Sequence, residues 1–179
     1  MKKNILIFGL IAGVIISTMM AGSIIKCYQE KNFEGNMVLG FAKMIIAFSV
    51  IFVAVKNYRD KFNDGVVSFG KAFKIGFLIT LIGSTMYVAT WLVIYYNFVP
   101  NFMEVMTADS IEKIRLNKEL TTAEANEQIA GINSMKEMYK NPIMVILLTY
   151  TEIFPVGLII TLLSALVLKR KQNKNASIA

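Results

Sequence analysis

The chain predicts an all-α membrane protein: a four-transmembrane-helix bundle with a long, partly helical external loop. Three observations lead there. Of its 179 residues 55% are hydrophobic and 17% charged, whereas apolar residues make up roughly 45–50% of a soluble domain. Four apolar runs reach the roughly 20 residues a helix needs to cross about 30 Å of hydrocarbon. Lys and Arg gather at one set of run ends, the pattern that membrane insertion produces. No Pro-, Gly- or Ser-rich linker divides the chain, so residues 1–179 read as one integral membrane domain.

The first run, residues 5–25, carries no charge. It exceeds the roughly 7–15 apolar residues of a secretory signal, so it is expected to stay as a helix. Lys26 before Cys27 also departs from a lipoprotein signal, which places a small residue there. Gly9, Gly13, Ser17 and Ala21 recur every fourth position, a spacing that lets helix backbones approach closely in lipid. The bland expectation is packing inside one bundle; the sharper one is a homodimer through that stripe. The second run, residues 37–55, is interrupted only by Lys43.

The third run, residues 75–99, repeats the small-residue spacing through Ala72, Gly76, Thr80 and Ser84 and carries Trp91, Tyr95 and Tyr96 towards its far end. Such aromatic residues favour the headgroup boundary. Residues 100–141 are too many for a plain connection. Two N-cap signals, Asp109 with Glu112 and Thr121 with Glu124, predict two short helices there. Ala125, Ile129, Ile132 and Met135 form an apolar stripe on the second. Asn141 and Pro142 read as N-cap and first-turn proline of the fourth run, residues 142–168, which contains Glu152, Pro155 and the spaced Gly157, Thr161 and Ala165.

The formal net charge is +7, but its placement matters more than its size. Lys2 and Lys3, then Lys56, Arg59, Lys61, Lys71 and Lys74, then Lys169, Arg170, Lys171 and Lys174 belong to one side. The other side holds Lys26, Lys31 and an acidic long loop. Cations are retained in the cytoplasm, so both termini are expected inside a cytoplasmic (inner) membrane. The cations hug apolar segments and form no nucleic-acid stripe.

Histidine is absent and Cys27 is the lone cysteine, which excludes imidazole bases, internal disulfides and thiolate metal clusters. No phosphate loop, dinucleotide fingerprint or zinc-protease motif occurs. Neither a cofactor nor a metal is expected, and no catalytic residue is assigned. Only Lys43 and Glu152 place a charge within a run, where it should face the bundle interior and meet a partner. At 1.5 Å per residue they lie about 9 and 15 Å below the outer ends of their runs. They could form an ion pair that sets helix register, or a site for an ion or polar substrate.

Between the second and third runs stand Tyr58, Arg59, Asp60 and Lys61, then Gly65, then Ser68, Phe69, Gly70, Lys71, Ala72, Phe73, Lys74, Ile75 and Gly76. This segment, with the acidic outer loop and the closing helix with its basic tail, resembles domain-of-unknown-function family 4199. The resemblance implies a small four-helix inner-membrane protein, mainly of Bacteroidota, and carries no activity. Physically, the cations suit an anionic leaflet, Asp60, Asp64 and Gly65 suit a turn, and Ser68 suits a cap. The expected role is that of a non-enzymatic structural or interaction subunit. The alternative is a small transporter or channel subunit using Lys43 and Glu152. Expected partners are the lipid bilayer and either a second copy of the chain or another membrane protein, with no nucleic acid.

Overall fold

The computed structural model describes residues 1–30 and 37–170. Lys31, Lys171 and Lys174, used above for orientation, lie outside the described residues. Among the described residues seven helices follow one another: α1 (Lys2–Glu30), α2 (Met37–Phe48), α3 (Val50–Phe62), α4 (Phe69–Asn97), α5 (Phe102–Leu116), α6 (Thr122–Met138) and α7 (Pro142–Leu168). Four stretches are long and apolar enough to cross a membrane: α1, α2 with α3, α4, and α7. The fold is the expected all-α membrane bundle.

α1, the end of α3 and the start of α4 run beyond the purely apolar stretches, whereas α7 coincides with its run and α4 stops two residues short of Val99. α4 begins at Phe69 because the Ser68 hydroxyl accepts the Lys71 N–H at 3.4 Å. The second span continues to Phe62 but is interrupted at Ser49. There the Ser49 hydroxyl donates to the Ile46 carbonyl at 2.6 Å while its own carbonyl accepts from Phe52, three residues on. A side-chain hydroxyl competing for helix carbonyls distorts the turn it sits in.

Helix direction is legible in the contacts. Gly9 and Gly13 of α1 face Ile82 and Met86 of α4, so both numbers rise together and the pair is parallel. Gly76 and Gly157 face Thr161 and Thr80, so α4 and α7 are antiparallel. Asn4 donates to the Ala54 carbonyl and accepts from Asn57, while Lys43 reaches Ser23, so α1 and the second span are also antiparallel. The spans therefore run up, down, up, down. One end of the bundle holds the start of α1 and the close of α7, and is called the terminal end below. The other carries α5 and α6 and is the hairpin end.

At the terminal end the packing is dry and close. A Cβ on Gly157 would stand 2.5 Å from Thr80 Cγ2, and one on Gly76 would stand 2.8 Å from Thr161 Cγ2. Each glycine thus receives the opposite threonine, and the two hydroxyls meet at 3.1 Å. In lipid, such close approach and interhelical hydrogen bonding hold helices together, because hydrocarbon supplies no hydrophobic drive. Phe48, Ile51, Ile75 and Ala165 close around this interlock, none with appreciable exposure.

The connection between α3 and α4 turns through two left-handed residues, Asp64 at φ 51° and Gly65 at φ 74°. Both belong to types that tolerate this region. Val67 then pairs with Arg170 through two backbone hydrogen bonds of 3.0 and 2.8 Å. This bridge fastens the loop to the exit of α7.

At the hairpin end, α6 starts as expected. The Thr121 hydroxyl accepts the Glu124 N–H, and the Glu124 carboxylate accepts the Thr121 N–H at 2.9 Å. The Thr121 hydroxyl, which also lies 2.7 Å from that carboxylate and donates to it, together with the N–H holds the Glu124 carboxyl below its ordinary range. Ala125, Ile129, Ile132 and Met135 are all half-buried. The other cap is a correction. Asp109 sits inside α5, which opens near Asn101, and pairs with Lys113 one turn later at 2.9 Å. An acidic residue followed three positions on by another fits a helix interior as well as a start. α7 opens as predicted, with the Asn141 side chain accepting the Ile143 N–H at 2.9 Å and Pro142 in the first turn.

Candidate functional site

Lys43 projects from α2 and Glu152 from α7, and both line one pocket between the helices of the hairpin half. The Lys43 ammonium donates to the Ser23 hydroxyl, which donates in turn to the Met19 carbonyl at 2.8 Å. Among the described residues Lys43 and Glu152 form no ion pair with each other. Lys43 lies about 9 Å and Ser23 about 10 Å below the helix ends at 1.5 Å per residue. They thus meet at one level.

Glu152 lies one helical step from the polar run before it. Each hydroxyl of that run is engaged elsewhere: Thr149 with the Val145 carbonyl at 2.7 Å, Tyr150 with Thr85 at 2.7 Å, and Thr151 with the Leu148 carbonyl at 2.7 Å. Glu152 has no hydrogen bond or ion pair among the described residues. Its side chain stands at the edge of the packed face of α7 and keeps open surface. A carboxylate at that depth costs about 2.5–3.5 kcal/mol to place in a membrane. Nothing described on the chain offsets that cost.

The pocket with Lys43 has a cavity volume of about 130 Å³ and is walled by Ile16, Met20, Ile24, Tyr87 and their neighbours. A second pocket of about 280 Å³ adjoins it. Met20, Ile24, Tyr87 and Glu152 border both. Each is smaller than the roughly 300–1,000 Å³ of drug-sized sites, so the room suits a compact molecule. Tyr87 and Glu152 each lie about 15 Å below their helix ends, so they face one another's level across the bundle.

The second pocket is roofed by aromatic rings. Trp91 meets Phe102 of α5 edge-on at 5.2 Å and Tyr95 at 5.5 Å, and Tyr95 meets Tyr139 at 5.8 Å. Burial, with nearby Glu152 adding to it, pushes the Tyr139 phenol up to about 12, so it stays neutral. Thus the α5–α6 hairpin, through Phe102, Met106 and the Tyr139 that follows it, closes the end of the chamber.

The other residues singled out in the sequence serve packing. Gly9 and Gly13 receive Ile82 and Met86, and Ser17 is buried in the same helix, so this face of α1 is filled by α4 of the same chain. Ala21 is half-buried against the core. Gly76 and Gly157 form the threonine interlock. In the inner-loop segment Tyr58 is buried, Arg59 pairs with Asp60 at 2.6 Å, and Lys71 lies over the Tyr58 ring. Phe69, Phe73 and Phe77 stack along α4, Ala72 is fully buried, and Gly70 has open space around it.

Sequence reasoning missed Ser23, Tyr87 and the aromatic roof as parts of one site. A tyrosine ten residues inside a span was the available signal, since its hydroxyl is out of place in hydrocarbon. Asn4 and Asn57 were also missed. The described residues contain no cluster of acidic, Cys or His side chains able to hold a metal.

The chain belongs to the family described as Protein of unknown function (DUF4199), whose model matches residues 7–170. No curated protein and no solved structure matches it.

Proposed function

We propose that this multi-pass membrane protein binds a small ligand in the chamber of its hairpin half, without catalysis, as a transporter or channel subunit would. One observation carries this reading: Glu152, a carboxylate deep in a span and unpartnered among the described residues, borders two adjoining pockets. An intramembrane charge that does not stabilise the fold through a partner marks a ligand pathway. The dry interior expected of a purely structural subunit describes the terminal half alone.

The Lys and Arg bias favours a cytoplasmic-membrane protein with its termini inside, which turns the chamber outward. Cysteine labelling tests both points. In a Cys27→Ser background, Ser23→Cys and Ile24→Cys should react with a charged, membrane-impermeant thiol reagent in right-side-out vesicles, and Ser164→Cys in the dry half should not. No reaction at either chamber position would end the reading. Reaction only in inverted vesicles would reverse the orientation.

A further inference from the structure

We infer that the chamber selects an organic cation, a quaternary or aryl ammonium group held between the Glu152 carboxylate and the rings of Tyr87, Trp91, Phe102 and Tyr139. The inference rests on the ligand-binding reading above and names its substrate class.

Four features point the same way. First, the deepest charge in the chamber is negative, and no described hydrogen bond or ion pair neutralises it. Second, Lys43 borders only the pocket with Ser23, and its ammonium is fixed there. The roofed pocket therefore holds Glu152 without Lys43. A cation is thereby directed away from Lys43 and towards the rings. Third, those rings surround the carboxylate side from α4 and the hairpin. Aromatic faces attract a cation within about 6 Å of the ring centre, and more strongly where water is excluded. Fourth, the remaining wall is mostly apolar: Met20, Ile24 and Met106 suit alkyl groups, and its one hydroxyl, that of Thr149, already donates to the Val145 carbonyl. An anion would meet Glu152, and a small inorganic cation would leave the ring faces and the methionine wall unused. A bulky organic cation satisfies both walls.

Trp91 is the only tryptophan and borders the pocket, so its fluorescence reports occupancy directly. Purified full-length protein is titrated with phenyltrimethylammonium, with its neutral isostere tert-butylbenzene, and with benzenesulfonate. Phenyltrimethylammonium should quench Trp91 saturably and bind at least tenfold more tightly than tert-butylbenzene, with no response to benzenesulfonate. Glu152→Gln should weaken the cation at least tenfold and leave tert-butylbenzene unchanged, which also shows that the variant is folded. Tyr87→Leu should reduce the preference for the cation with Trp91 still in place.

Equal binding of cation and neutral isostere, or a Glu152→Gln variant that binds the cation as before, overturns the inference while the chamber reading stands. Failure of every probe with the cysteines still reactive overturns it equally; unreactive cysteines strike the chamber itself. Repeating the titration in phosphatidylglycerol nanodiscs with and without phosphatidylcholine separates two sources of the same chemistry. Competition by phosphatidylcholine identifies a lipid headgroup as the occupant, and its absence identifies a free solute. Either outcome retains the cation site.

Discussion

The two halves of this bundle use the same four spans to opposite ends. Towards the termini, glycine faces threonine so closely that a single methyl group has no room, and several polar side chains there pair across helices: Thr80 with Thr161, Asn4 with Ala54 and Asn57, while the buried Ser164 hydroxyl has no partner among the described residues. Towards the hairpin, larger side chains hold the helices apart, Gly22 and Gly40 face open space, and the carboxylate of Glu152 has no described partner. The difference teaches that a membrane bundle can be held by one half and leave the other free to bind. Close small-residue contacts supply the attraction in the first half, and their absence creates the volume of the second.

The comparison breaks first at its glycines. Gly157→Leu should destabilise the protein by about 3 kcal/mol or more, because the new side chain enters space already held by Thr80 and Phe48. Gly22→Leu, with nothing nearby, should change stability by less than about 1 kcal/mol. Unfolding titrations in mild detergent measure both, and equal losses would erase the distinction between the halves.

Glu152→Gln sharpens it with an effect of the other sign. Removing a charge that no described partner stabilises should raise resistance to unfolding by about 1–2 kcal/mol. A structural Lys43–Glu152 pair predicts a loss instead. A double-mutant cycle of Thr80→Val and Thr161→Val should then return a coupling of about 0.6–1.7 kcal/mol, the range of interhelical hydrogen bonds in membranes. A coupling of zero would reduce the interlock to shape alone.

The smallest effect lies outside the spans. The capping box holds the Glu124 carboxyl below its ordinary value of 4.5. Its contribution to α6 is therefore whole above that value and is lost as the pH falls through the lowered one. Amide exchange in the first turn of α6 should quicken over that window, and Glu124→Gln should make it insensitive to pH. A first turn that opens equally at every pH would remove the box from the account of the roof.

Much of the fold was legible along the chain. The four spans follow from run length against bilayer thickness, and the starts of α6 and α7 follow from Thr121 with Glu124 and Asn141 with Pro142. Local rules failed where one pattern served two contexts. Asp109 and Glu112 looked like a helix start, yet Asn101 opens α5 eight residues earlier and leaves Asp109 mid-helix. The site was legible only as two charges. Its remaining walls are ordinary apolar and aromatic residues, which carry no mark until helices far apart in sequence bring them together.

By itself, then, the sequence determined the number of spans, the helical loop, the small-residue faces and the two charges within spans, because each depends on composition or on neighbours within a turn or two. Only the tertiary structure decided which faces meet. It gave the stripe of α1 to α4 and the Lys43 ammonium to Ser23. It also opened the hairpin half around Glu152. Those outcomes depend on the register between helices, and register is set by the best fit of side chains across the whole interface.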